Sequence, residues 1–133
     1  MAAGINTFVV DASFILASLF PDELSPESDT VIGKYLDNEI GLISSSIFEL
    51  EVLNGLRAAQ LSKRIELDLC LALAQRFLKL SIRCEEVDLY ETLKLAQRGN
   101  VTVYDASYIW LAKSKGVPLL TIDRLMKRLA KSS

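Results

Sequence analysis

No histidine occurs anywhere in this chain. That absence removes serine–histidine–aspartate and cysteine–histidine nucleophile schemes, and any imidazole acting as general acid or base. Cysteine is scarce as well: only Cys70 and Cys84 are present. Two thiols without an imidazole fall short of the three or four Cys/His ligands that zinc usually takes, so both read as buried free thiols. Long apolar runs are lacking too. FILASLF at 14–20 is among the longest, far below the ~20 residues of a membrane-spanning helix. The N-terminus has no basic segment, and Asp11 interrupts its first apolar stretch, so no signal peptide is visible. A soluble, cytoplasmic protein without membrane contact is expected. Low-complexity and Pro/Gly-rich linkers are also missing, and half the residues are hydrophobic. One domain over 1–133 with a substantial core follows. Its chemistry must rest on carboxylates, hydroxyls, amines or a bound metal.

The net charge is only −2, but it is unevenly placed. Residues 101–133 hold six basic side chains (Lys113, Lys115, Arg124, Lys127, Arg128 and Lys131) against two acids, Asp105 and Asp123. The plain reading is a solvated helix face. The sharper one is a rim on which a polyanion's phosphates rest, with Lys127 and Arg128 as its contacts.

Short apolar stretches alternate with amphipathic ones. NTFVV at 6–10 predicts a strand and 12–19 a helix ended by Pro21. A helix capped by Ser25, with Pro26 in its first turn, runs to about Asn38, and GLIS at 41–44 is a second strand. Helices are expected over about 46–60 and from a Ser62 cap to about Leu78, then a strand at 80–84. A helix over about 88–98 stops at Gly99–Asn100, and another over 105–115 ends at Gly116 and Pro118. PLLTI at 118–122 and a helix at 124–131 complete the pattern. The class is α/β: a small parallel sheet of four or five strands, covered by helices on both faces. Ligands of such sheets bind beyond the carboxyl ends of the strands.

Acids stand at those ends. Asp11 follows the first strand, Asp123 follows the fourth, and Asp105 opens the helix DASYIWLA. Each alone is explained as an N-cap, accepting from free N–H groups of the first turn. Their coincidence is the informative point, because neighbouring first and fourth strands would bring two of them to one edge. The chain also writes one junction twice: VVDASFI at 9–15 and VYDASYI at 103–109. Each copy sets a carboxylate at a helix start with a serine two positions on, so Asp11 with Ser13 and Asp105 with Ser107 read as two similar ligand arms. A fourth acid lies in FELEVLNGL at 48–56, where Glu49 and Glu51 are both candidates. Glu51 shares a helical stripe with Asn54 and Gly55, whereas Glu49 shares one with Val52, Leu53 and Leu56. The small polar stripe favours Glu51; Glu49 remains open on spacing alone.

Converging carboxylates repel by about 1 kcal/mol per pair at 4 Å in water, and several times more when partly buried. Either their pKa values rise or a divalent cation neutralises them. All-oxygen donors, with the hydroxyls of Ser13 and Thr121 nearby, suit magnesium or manganese. Metal held by carboxylates is a standard means of phosphodiester hydrolysis and needs no histidine.

These residues resemble the PIN-domain family, specifically its VapC-type ribonuclease toxins of toxin–antitoxin pairs. VVDASFILASLFPDE is similar to the family's opening and FELEVLNGL to its glutamate helix. VTVYDASYIWLAKSKG matches its third-acid segment and LLTIDRLM its closing acid. The resemblance implies that Asp11, Glu51, Asp105 and Asp123 form an acidic pocket for one or two magnesium or manganese ions. Its EVLN match selects Glu51 over Glu49. Ser13, Thr121 and Asn54 match the family's supporting polar residues. The resemblance further implies a metal-dependent RNA endonuclease, dimeric, inhibited by an antitoxin protein. One departure is expected: the chain stops soon after its last helix begins, leaving no room for the family's final edge strand.

Three other readings compete. A haloacid-dehalogenase-type phosphatase wants a second aspartate two residues after the first, where Ser13 stands. A receiver-like domain wants a mid-chain aspartate after a strand, where 41–46 reads GLISSS. A PIN module that only binds, or a PIN nuclease that is not a toxin, would carry the same pattern; retention of all four acids argues against the idle form.

Overall fold

The computed structural model describes residues 5–132. β1 (Asn6–Val10) leads into α1 (Ala12–Leu19), which ends where Phe20 turns extended ahead of Pro21. The residue before a proline disfavours helical backbone, so the stop is built into the sequence. α2 (Pro26–Leu36), β2 (Ile40–Ser45), α3 (Phe48–Leu61) and α4 (Leu67–Leu78) follow. β3 (Arg83–Glu85), α5 (Leu89–Gly99), α6 (Val103–Lys115), β4 (Leu119–Leu120) and α7 (Arg124–Lys131) complete the described chain.

The four strands form one parallel sheet in the order β3-β2-β1-β4. A fifth strand is not found among the described residues. β1 is central, with Val9 opposite Ile43 on one side and Leu119 on the other. Pairing with β4 continues past its two residues, since Asp11 N–H donates to Leu120 O at 3.1 Å and Val9 N–H to Pro118 O at 3.0 Å. α6 packs on β1, β2 and β4, flanked by α5 and α7; α1 to α4 form the other helical cover. The core joins both layers through Val9, Val10, Phe14, Phe48, Ile109 and Leu111, all nearly or fully buried.

Several expected boundaries move, each for a local reason. Ser62 does not cap α4. It ends α3, its N–H bonding Ala58 O and its hydroxyl donating back to Ala59 O, and Glu66 precedes α4 instead. Lys63 adopts φ 65°, which breaks the helix that Ser62 was expected to begin. Ser25 precedes α2, but its hydroxyl donates to that of Ser28 rather than capping backbone. The third strand starts at Arg83 rather than residue 80, because Leu80 and Ser81 still belong to the turn after α4, Ser81 at φ 51°. Cys70 and Cys84 are free but half-buried, not buried. Burial, with the charge of Glu49 adding to it, pushes the Cys84 thiol up to about 11.

Candidate active site

Asp11 follows β1 directly and caps α1. Its Oδ1 accepts from the Phe14 N–H at 3.0 Å and the Ser13 hydroxyl at 2.7 Å, and its Oδ2 accepts from the Thr121 hydroxyl at 2.5 Å. The side chain is thereby fixed and buried. Thr121, just beyond β4, also accepts the Asp123 N–H at 3.1 Å, and Asp123 in turn caps α7 through Met126 N–H at 2.9 Å. Ser13 lies 3.3 Å from Thr121 Oγ1 and accepts the Ile122 N–H at the same distance. The β1–β4 pairing therefore brings the first and last acids to one edge, joined by hydroxyls.

Asp105 arrives differently. Thr102, not Asp105, caps α6: the Thr102 hydroxyl accepts the Asp105 N–H at 3.0 Å. The helix begins at Val103, so Asp105 projects from inside the first turn and lines the cleft, with the Thr102 hydroxyl also beside its carboxylate. The repeated junction is thus not repeated geometry. Ser13 donates to Asp11, whereas Ser107 is buried against the sheet, donating to Tyr104 O at 2.6 Å and lying 2.9 Å from Ser45 Oγ. The expected Asp105–Ser107 arm does not form.

Glu51 enters from α3, and Gly55 explains how. A Cβ on Gly55 would stand 2.4 Å from Leu16 Cδ1. Its absence lets α3 lie close against α1, and Glu51 sits one turn earlier on the same stripe. Asn54 lines the cleft as well, exposed. Glu49 is exposed and outside it.

Asp11, Glu51, Asp105 and Asp123 all line one cleft of about 280 Å³, together with Ser13, and no lysine or arginine lines it. Lys127 and Arg128 are therefore not on its wall; they stand on α7 beyond it, without an ion pair among the described residues. A larger cleft of about 770 Å³ runs between the end of α1, α2 and α4, but it gathers none of these acids. The four acids gather in the smaller one.

The carboxylates sense one another. Burial raises the Asp11 pKa against three hydrogen bonds that lower it, and the charge of Asp105 adds to the rise. Glu51 is raised by burial, with the Asp105 and Asp11 charges contributing and a Tyr108 hydrogen bond opposing. Asp105 is raised by burial and then by Asp123. Among the described residues, no three acidic or thiol side chains already enclose a point where an ion could sit. Asp11 and Asp123 are tied to backbone N–H groups. What fits a hard divalent cation is the donor chemistry: carboxylate and hydroxyl oxygens, with neither thiol nor imidazole in the lining.

Sequence reasoning missed Tyr108. Its hydroxyl donates to Glu51 Oε1, and its ring is buried while lining the cleft. The repeated junction held the signal: the first copy has Phe14 where the second has Tyr108, so only the second carries a hydroxyl.

The PIN domain family model matches residues 8–132, and the chain belongs to the PIN-domain family. Within that family it is similar to Ribonuclease VapC3 of Pyrobaculum aerophilum, 32% identical over 121 residues that cover 87% of this chain and 88% of that one. The crystal structure of PAE2754 from Pyrobaculum aerophilum aligns with a TM-score of 0.72 at 25% identity, over 97% of this chain and 84% of that one. VapC20 of Mycobacterium tuberculosis, a sarcin-ricin loop cleaving toxin, aligns with a TM-score of 0.62 at 16% identity, over 91% and 93%. That last likeness concerns the fold alone.

Proposed function

We infer that this protein is a magnesium- or manganese-dependent RNA endonuclease, acting as a single domain over 1–133. We assign it to the cytoplasm as a homodimer and as the toxin of a toxin–antitoxin pair, held inactive by its cognate antitoxin. Membership of the PIN-domain family supports the reading, as does the similarity to a protein named Ribonuclease VapC3. One observation carries it. Four carboxylates face a single cleft whose lining offers no cationic side chain. An RNA phosphate approaching them is repelled unless a divalent cation stands between.

Asp11, Glu51, Asp105 and Asp123 would hold one or two such ions. When bound, such an ion would supply Lewis-acid chemistry to the phosphodiester and lower the pKa of a nearby water. Ser13 and Thr121 orient Asp11 by donating to its two oxygens. Asn54 offers an uncharged donor and acceptor at the rim. Lys127 and Arg128 extend the contact to RNA phosphates outside the cleft.

A catalytically idle binding module, or a nuclease outside toxin–antitoxin pairs, is the second reading. The idle form is favoured by the lack, among the described residues, of three acids already gathered around one point. Incubation with a generic fluorogenic RNA separates them. Cleavage with manganese that stops on chelation supports the nuclease; RNA binding without cleavage sinks it. A small adjacent gene whose product binds this chain and blocks cleavage supports the toxin assignment.

A further inference from the structure

Tyr108 and Glu51 are joined across 57 positions of sequence, between α6 and α3. Tyr108 is almost wholly buried, at 1% exposure, and a buried phenol hydroxyl without a partner is costly. Its hydrogen bond goes to Glu51 Oε1, and Glu51 Oε2 makes no hydrogen bond among the described residues. Packing does not require the hydroxyl. Phe14, at the matching place of the first junction, is equally buried with a bare ring.

The surroundings give that hydroxyl a use. Glu51 is the one glutamate among the four acids, carried in the first turn of α3, and its longer side chain caps no helix. Asp11 and Asp123 are held by the N–H groups that they cap. Asp105 is held by a short side chain in the first turn of α6. Glu51 has one more rotatable side-chain bond than each of these aspartates, and the charges of Asp105 and Asp11 repel it. Without a restraint it would swing outward to solvent.

We propose that Tyr108 is a positioning residue, whose hydroxyl holds Glu51 Oε1 so that the carboxylate stays in the cleft and Oε2 remains the oxygen available to a divalent cation or its bound water. The inference rests on the nuclease reading above, and it assigns a neutral residue, outside the acid set, to the function of one acid.

The test uses Tyr108→Phe, Glu51→Gln and the double variant in the full chain. Two readouts are taken: steady-state cleavage of a generic RNA with manganese, and the rise in melting temperature that manganese produces over EDTA. Tyr108→Phe should melt near wild type in EDTA, since the ring is kept. Its kcat should fall about tenfold, the size expected for one hydrogen bond to a charged group, with KM for RNA little changed. Its manganese-induced rise should shrink. Glu51→Gln leaves little activity to lose, so the coupling is read on melting: Tyr108→Phe should reduce the manganese-induced rise in the wild-type background and not in the Glu51→Gln background. Equal reductions in both backgrounds mean that the hydroxyl acts independently of Glu51, and overturn the proposal. So does an unchanged or raised kcat in Tyr108→Phe while Glu51→Gln is inactive, and the nuclease reading then survives. Wild-type cleavage by Glu51→Gln itself overturns both.

Discussion

Thr121 ties the first acid to the last: its hydroxyl donates to Asp11 Oδ2 at 2.5 Å and accepts the Asp123 N–H at 3.1 Å. Thr121→Val should therefore disturb two acids at once. The shape is kept, but Asp11 loses a donor and Asp123 N–H an acceptor inside a buried junction, costing about 1–3 kcal/mol. Thr121→Ser keeps the hydroxyl and should lose far less. Denaturant melts of the two variants check the contrast. Equal stabilities would mean that the hydroxyl is dispensable.

Asp105→Asn is the cleanest test of chemistry. The carboxylate of Asp105 caps nothing, because Thr102 caps α6. The substitution should leave folding intact and lower RNA cleavage by orders of magnitude. Asp11→Asn should also abolish cleavage, but with a loss of stability, since an amide offers one acceptor where Asp11 uses both oxygens. Cleavage at wild-type rate by either variant, under matched manganese, would remove that residue from the site.

Glu51→Gln and Glu49→Gln should separate sharply. Glu51 lines the cleft beside Asp105, while Glu49 is exposed elsewhere on α3. Orders of magnitude should be lost in the first and little in the second. Comparable losses in single-turnover cleavage would show that cleft lining does not decide the role.

The raised carboxylates carry a stability sign. Asp11, Glu51 and Asp105 bind protons more tightly in the folded chain, chiefly through burial. Their contribution is fully present below the ordinary carboxylate range and is lost as pH rises through their raised values. In EDTA, wild type should therefore gain on Asp105→Asn as pH falls from neutral into acid. Added manganese binds only the folded cleft and should offset the loss, by about 2.7 kcal/mol at a hundredfold excess over its dissociation constant. Asp123→Asn should melt higher than wild type in EDTA, since asparagine still caps α7, and should gain less from manganese. Equal manganese shifts in both proteins would place the ion elsewhere.

Lys127 and Arg128 lie outside the cleft wall, which makes them a probe of binding rather than chemistry. Replacing both with alanine should weaken RNA binding and reduce the salt slope, by up to about 1.4 for two lost single-strand phosphate contacts. Fluorescence anisotropy at several salt concentrations measures it. An unchanged slope returns both residues to the solvated face of α7.

What the sequence made legible was local. Asp11 and Asp123 sit between an apolar strand and an amphipathic helix, a pattern that carries its own cap chemistry, and both take that place. Glu51 was legible through its stripe with Asn54 and Gly55. The start of α6 was not, because Thr102 and Asp105 are both good caps and the repeated junction drew attention to the second. The left-handed turn at Ser81 left no mark, since serine does not announce a positive φ. Tyr108 reaches Glu51 only in the folded chain, so no window along the sequence holds both.

The pairing of β1 with β4 has a consequence in time. Thr121 is 110 positions beyond Asp11, a distance that a ribosome covers in roughly 5–20 s. During that interval Asp11 has emerged, but its Thr121 donor and the partner acid Asp123 do not yet exist, and β1 lacks one of its two neighbours. The cleft closes only after Thr121 and Asp123 have been made. Until β4 and Thr121 have followed, a growing chain carries no finished acid cluster.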